Sequence, residues 1–298
     1  MHEFLMSLIP WGIEAIQQVQ TLHNPALDSF FKAVTFVGEE QFYLLLLPLI
    51  YWTLNKRLGI RLAFVFLIGV YLNNSLKNIF YTPRPGSDQV VQLVQETGYA
   101  FPSGHTQNST VLWGFLAAHV RRWFFWMLAA ILVAAVAFSR VYLGVHYPQD
   151  LLGGFFFGAV YLGFVLWLEK PVAAWIGRQS EVIWFGLAAL IPISLALLNP
   201  TEGNTTSLGT LTGFGVAHIM EEKWIRFKTD GLWWKRALRF LLGGALAMIA
   251  YAGLKPIFPP GLTFRFVRYG CIGLTVGLIA PWAFVRTGLA ASEGSVEK

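Results

Sequence analysis

Apolar runs recur along almost the whole chain, separated by short polar segments. They fall at roughly 41–55, 58–80, 103–120, 123–142, 149–168, 182–198, 205–220, 237–254 and 266–286. A helix that crosses a bilayer needs about 20 mostly apolar residues, so the pattern predicts an all-α, polytopic helical membrane protein. The run at 41–55 is short, and Thr205–Met220 is rich in Gly and Thr, which weakens its apolar signal. The first 40 residues follow another pattern. Met1–Gln20 mixes Phe4, Leu5, Leu8, Ile9, Trp11 and Ile13 with Glu3, Glu14, Gln17, Gln18 and Gln20, and residues 25–38 are similarly amphipathic. Pro25 suits a helix start. Both segments read better as helices lying in the membrane interface than as spans, with Met1–Gln20 as a further span the alternative. Met1–Gln20 has no basic stretch ahead of its apolar residues, so it does not read as a signal peptide. The expected organisation is an amphipathic interfacial segment at 1–40, a membrane-embedded helical core at 41–170, and additional transmembrane helices at 171–298.

Composition agrees with the pattern. Of 298 residues, 55% are hydrophobic, 16% aromatic and only 13% charged, about half the charged share of soluble proteins. Disorder requires the opposite balance. A disulfide scaffold is excluded because Cys271 is the only cysteine. The net charge of +6 matters through its placement. With the end of span 58–80 defined as side A, alternation puts Lys56, Arg57, Arg61, Arg121, Arg122, Lys170, Arg178, Lys223, Arg226, Lys228, Lys235, Arg236, Arg239, Arg286 and Lys298 on side B. Side A keeps Lys32, Lys77, Arg84, Arg140, Lys255, Arg265 and Arg268. Loops rich in Lys and Arg stay cytoplasmic, so side B is the expected cytoplasmic face. Basic residues dispersed over many short loops do not make the stripe that nucleic acid requires, and no nucleic-acid partner is expected.

Three polar clusters gather on side A. Lys77 is followed after six residues by Arg84-Pro85; Phe101-Pro102-Ser103-Gly104-His105 opens the next long helix; and Ser139-Arg140 is followed by His146 and Asp150. The intervening spans return each cluster to the same face. Lys77, Arg84 and Arg140 are three cations with no neighbouring run of acids, and charge at a membrane edge is costly without a counter-ion. Guanidinium forks and a lysine ammonium both suit phosphate oxygens. Free N–H groups where Ser103-Gly104 begins a helix add a second anion-binding element. His146 and Asp150 are four apart, so the carboxylate can hold one ring nitrogen and leave the other as nucleophile or base.

The pattern K-x6-R-P, P-S-G-H, S-R-x5-H-x3-D resembles the type 2 phosphatidic acid phosphatase family, which shares its core with vanadium haloperoxidases and glucose-6-phosphatase. The resemblance covers about residues 40–170, and the stretches Lys77–Arg84 and Phe101–Thr110 are similar to sphingosine-1-phosphate phosphatases and related prokaryotic membrane proteins. It implies a helical-bundle phosphatase core in which His146 attacks phosphorus and becomes phosphohistidine, Asp150 orients it, and His105 protonates the leaving alkoxide. It also implies that Lys77, Arg84, Ser103, Gly104 and Arg140 hold the phosphoryl oxygens. No metal and no cofactor are expected. The implied activity is metal-independent hydrolysis of a lipid phosphomonoester or diphosphate at the extracytoplasmic surface of a multi-pass membrane protein. Two rivals are a phosphotransferase that passes the phosphoryl group to a hydroxyl acceptor, and a non-enzymatic transporter or scaffold.

The remaining polar residues read as structural. His119 beside Arg121 and Arg122 is expected at the interface, and His2 and His23 in solvent. His218 with Glu221 and Glu222 has a metal-like spacing but falls at a span end on side B. Glu39 and Glu40 lie on side A at the start of span 41–55, where they could face the pocket, but the acid preference of an exposed helix first turn explains them. Asn73 and Asn74 are expected to bond across helices. Gly209 with Gly213 and Gly273 with Gly277 are spaced for close helix contact, either within the chain or in a homodimer through the Gly-rich C-terminal helices.

Overall fold

The computed structural model describes residues 1–293, and Lys298 of the side B set lies outside them. The chain forms two compact units. One comprises residues 1–43 and 72–169, the other 44–71 and 170 onward. Among the described residues, six helices are long and apolar enough to cross a membrane, or seven if a bent pair counts as one span. The chain is a multi-pass, all-α membrane protein, with one isolated β-bridge among the described residues, Phe227 to Ser292.

The first unit opens with α1 (His2–Ser7), α2 (Ile9–Gln20) and α3 (Pro25–Phe36). Asn24 caps α3 by accepting from the N–H groups of Ala26 and Leu27, and Pro25 occupies the first position, where a missing N–H costs nothing. Residues 1–40 are packed into this unit. Ile16 of α2 is buried with Val90, Val141 and Tyr147, and Phe31 of α3 stacks on Tyr142. α3 and α4 (Glu40–Leu49) meet at a 48° bend and, with the π-helical turn Ile50–Leu54, have the combined length and apolarity of a broken span or a re-entrant loop. The lone histidines of the N-terminal segment are also engaged. His2 Nδ1 lies 2.8 Å from the Phe80 carbonyl, and His23 Nε2 lies 3.1 Å from that of Tyr142.

α5 (Lys56–Phe80), α6 (Gly104–Val120), α7 (Trp123–Tyr142) and α8 (Pro148–Ile176) match predicted spans within a few residues, except that α8 runs on through Pro171. Arg121, at φ 55°, turns α6 into α7. His119, expected at the interface near the end of α6, pairs with Glu169 of α8 at 3.1 Å. Gly154 and Gly158 present no side chain to α6. A Cβ at Gly154 would lie 2.6 Å from the Ser103 carbonyl, and one at Gly158 3.0 Å from Thr110 Cβ. This close approach brings the start of α8 against the start of α6. α6 is not among the six strongly apolar helices, because Thr106, Gln107, Ser109 and Thr110 are buried against protein.

The second unit contains the first part of α5 together with α9 (Glu181–Leu198), α10 (Glu202–Trp224), α11 (Trp233–Leu254), α12 (Leu262–Leu274), a π-helical turn Thr275–Ile279 and α13 (Ala280–Arg286). α10 also falls outside the strongly apolar set, and Asn204, Thr205 and Ser207 on it are buried. The glycines expected to serve packing or a homodimer are consumed within the chain. Gly209 and Gly213 face the backbone of Phe266 and Gly270, and Gly273 and Gly277 face Thr210, Phe214 and Ala217. Buried Arg239 donates to the carbonyls of Trp52, Lys228, Thr229 and Asp230.

Candidate active site

Every site residue expected from the sequence lies in the first unit, at one end of its helices. Lys77 comes from the last turn of α5, and Arg84 from the loop that follows. Ser103, Gly104 and His105 begin α6, Arg140 is in the last turn of α7, His146 is in the α7–α8 turn, and Asp150 is in the first turn of α8. The two helix starts are stitched together by the Ser103 N–H, which donates to the Asp150 carbonyl at 2.9 Å.

His146 is almost wholly buried. Its Nδ1 stands 3.1 Å from Asp150 Oδ2, and the same oxygen accepts from the Tyr147 N–H at 2.9 Å. Its Nε2 is 3.1 Å from Arg84 Nη1. A guanidinium only donates, so Nε2 carries a lone pair and the ring proton is on Nδ1, directed at the carboxylate. Burial, followed by the positive charges of Arg84, Lys77 and Arg140, holds the His146 pKa well below the usual histidine range. The ring is therefore a neutral base with its reactive nitrogen among cations.

Three cations surround it. Lys77 Nζ donates to the carbonyls of Tyr99 and Ala100, which leaves one of its three donors uncommitted. Arg84 donates to the carbonyls of Thr97, Gly98 and Val145. Arg140 is fully buried, bonds the Thr35 hydroxyl and Glu96, and has an unpartnered Nε. Ser103 caps α6 by accepting from the Thr106 N–H. A Cβ on Gly104 would meet Asn73 Oδ1 at 2.9 Å and Lys77 Cε at 3.9 Å, so glycine keeps this helix start open beside the lysine. Asn73 does bond across helices, donating to Gln107 Oε1 and the Pro102 carbonyl.

Two acidic residues correct the expectation that these cations lack carboxylates. Glu96, from the loop between the first two motifs, bonds Arg140 and lies 3.6 Å from Arg84. Glu39 was assigned to a helix first turn, yet its Oε1 is 3.2 Å from His105 Nε2 and 3.8 Å from Arg140 Nη1. Neither belongs to a spaced motif. Only the folded backbone brings residues 39 and 96 to 105 and 140. Ligand atoms of Glu39, Glu96 and His105 lie within 4.8 Å of one another, a spacing that suits a metal. Arg140 already supplies a fixed positive charge to both carboxylates. The second metal-like group, His218 with Glu221 and Glu222 in the other unit, has a lysine as its cation: Lys56 Nζ is 2.6 Å from Glu221 and 2.9 Å from Glu222.

Residues 58–172 match the PAP2 superfamily, and residues 205–292 match the PAP2 superfamily phosphatase transmembrane extension. Lipid phosphate phosphatase delta of Arabidopsis thaliana is 29% identical over 71% of this chain and 59% of its own length. Sphingosine-1-phosphate phosphatase 1 of Mus musculus is 25% identical over 90% of this chain and 74% of its own. Among solved structures, the transmembrane PAP2-type phosphatidylglycerolphosphate phosphatase of Bacillus subtilis is similar at 25% identity and a TM-score of 0.47, over 56% of this chain and 88% of that one. The chain thus spans about three fifths of the plant relative's length and three quarters of the mouse relative's.

Proposed function

We propose that this chain, which belongs to the PAP2 superfamily, is an integral membrane phosphatase that hydrolyses an amphiphilic lipid phosphate through a phosphohistidine on His146. The observation that carries this reading is the buried His146–Asp150 pair, with Nε2 unprotonated beside Arg84 and close to Lys77 and Arg140. In the proposed first step the Nε2 lone pair forms a bond to phosphorus. The P–O ester bond breaks, its electron pair leaves on the alkoxide oxygen, and His105 supplies that oxygen with a proton. Lys77, Arg84, Arg140, the Ser103 hydroxyl and the Gly104 N–H hold the phosphoryl oxygens while charge redistributes. Water then forms a bond to phosphorus and gives its proton to His105, while the P–N bond breaks and its electron pair returns to His146 Nε2. In this scheme fixed cations do the charge stabilisation that a metal ion does elsewhere.

A site at the end of membrane helices admits a headgroup while the apolar tail stays in the bilayer, which favours lipids over soluble esters. Sphingoid-base phosphates come first among candidate substrates, supported by the names of the mouse relative and of the Dictyostelium discoideum relative, a probable sphingosine-1-phosphate phosphatase. Phosphatidate-like lipids and polyprenyl diphosphates follow. The test is phosphate release by detergent-solubilised protein from one lipid of each class, with excess chelator present. Release that persists in chelator and is blocked by vanadate is the expected result. Activity that disappears in chelator and returns with magnesium contradicts the mechanism. Recovery of labelled phosphate on an added alcohol instead of water would move the reading to a phosphotransferase.

A further inference from the structure

We infer that Glu39, at the break between α3 and α4, is a positioning residue for His105: its carboxylate pairs with the Nε2 side of the imidazole and keeps the ring aimed as proton donor to the leaving group. The inference rests on the phosphatase reading above and adds to it a fourth element of the site, outside the three sequence motifs. Its basis is an ion-pair contact of 3.2 Å between Glu39 Oε1 and His105 Nε2, a close approach rather than an in-line hydrogen bond, with the two side chains only 33% and 14% exposed. The ring is seated as well as paired. Gly38 packs its backbone against the imidazole, and a Cβ there would fall 2.9 Å from His105 Cδ2. The same break sends the Thr35 hydroxyl to Arg140. Thr35, Gly38 and Glu39 thus line the site from a segment of the chain that precedes the first motif.

The chemistry follows from the valence of imidazole. A neutral ring has one N–H and one lone pair. A carboxylate on Nε2 fixes the N–H there, so a proton on Nδ1 makes the imidazolium, which the carboxylate stabilises. The proton delivered to the alkoxide is then the one on Nδ1. His146 has the complementary arrangement, with its carboxylate on Nδ1 and its Nε2 facing phosphorus. The two carboxylates thereby separate the roles of the two histidines, one kept as a neutral nucleophile and the other as an acid. The charged and titratable groups around His105 are Glu39 from the break, Glu96 from the loop, Arg140 from α7, and the His146 ring. Burial and Arg140 oppose protonation of His105, and Glu39 and Glu96 favour it.

The alternative is that Glu39 only neutralises Arg140, and leaving-group dependence separates the two. Glu39→Gln keeps the size and removes the charge. For a lipid phosphate, whose alkoxide needs a proton, kcat is expected to fall about ten- to a hundredfold. For 4-nitrophenyl phosphate, whose leaving group needs none, it is expected to stay within about threefold of the unsubstituted protein, in keeping with a proton-transfer role. The basic limb of the pH profile on the lipid substrate should move to lower pH by about one unit, because an opposite charge has been lost. Glu39→Asp should recover part of both effects, and it supplies the same readouts if the Gln variant does not elute as a monodisperse species. In a His105→Ala background the Glu39→Gln change should have no further effect on the lipid substrate. Equal losses on both substrates, or an unmoved basic limb, overturn the inference. An unsubstituted protein inactive on both esters would instead sink the phosphatase reading itself.

Discussion

His146 accepts from Arg84 and donates to Asp150, and the consequence of that arrangement is a pH dependence. Burial and neighbouring cations depress its proton affinity, so the neutral, nucleophilic form persists below the usual histidine value of about 6.5. The acid limb of activity should therefore lie well below that pH, and kcat/KM measured from pH 4.5 to 8 checks it. An acid limb at or above the ordinary value contradicts the assignment. The same shift sets a sign for stability. Below about 6.5 the unfolded chain takes up a proton at His146 that the folded chain refuses, so this group lowers stability as pH falls from there toward its folded pKa. Asp150→Asn removes the fixed orientation of the ring and is expected to lower kcat by at least about a hundredfold. Arg84 already bonds loop carbonyls, His146 and, more loosely, Glu96. The last two contacts are the ones a phosphoryl group would exchange for its own oxygens.

At the scale of elements, the site depends on how closely α8 approaches α6. Gly154 and Gly158 are one turn apart, and each faces α6 where a Cβ would collide. Gly154→Ala is expected to push the start of α8 away from Ser103, moving Asp150 and His146 relative to the phosphate-binding helix start. Displacements of about 1 Å cost on the order of a hundredfold in rate, whereas overpacking costs about 1–3 kcal/mol of stability. A variant that elutes and melts as a folded protein but has lost most of its turnover is the expected outcome. Unchanged kinetics would show that the helices tolerate the methyl group. The motif residues were legible in sequence because each sits at a helix end with fixed local spacing: Lys77 at the end of α5, Ser103-Gly104-His105 opening α6, His146 and Asp150 four apart. Glu39 was legible only as an acid on the right side that could face the pocket, and Glu96 and Thr35 not at all, because single polar residues in an amphipathic lead or a loop carry no period. They reach the site through a bent helix pair and a returning loop. Amphipathicity of the N-terminal helices likewise reports that one face is apolar but not whether lipid or protein covers it, and here Ile16 and Phe31 pack on protein.

For the whole molecule the open quantity is which side of the membrane holds the phosphate site. The charge count supplies the argument. Seven of the 22 basic residues fall on side A, and three of those, Lys77, Arg84 and Arg140, are tied to the site. Setting these aside deepens the asymmetry, so the bias toward side B does not depend on any catalytic assignment. The residues that make it lie mostly in short connections, where Lys and Arg resist translocation. Residues 223–236 alone carry Lys223, Arg226, Lys228, Lys235 and Arg236. Lys56 and Lys77 stand 21 residues apart on one continuous helix, α5, about 30 Å at 1.5 Å per residue, enough to put them at opposite surfaces. The loop carrying Ser87 and Glu96 is therefore expected outside the cytoplasm and the basic connection inside it. Ser87 and Asp230 are both exposed, and Cys271, the one native cysteine, is replaced by Ser before either is changed to Cys. In intact cells a membrane-impermeant thiol reagent should label Ser87→Cys and leave Asp230→Cys unlabelled until the membrane is opened. The opposite pattern would invert the topology and place the hydrolysed lipid in the cytoplasmic leaflet.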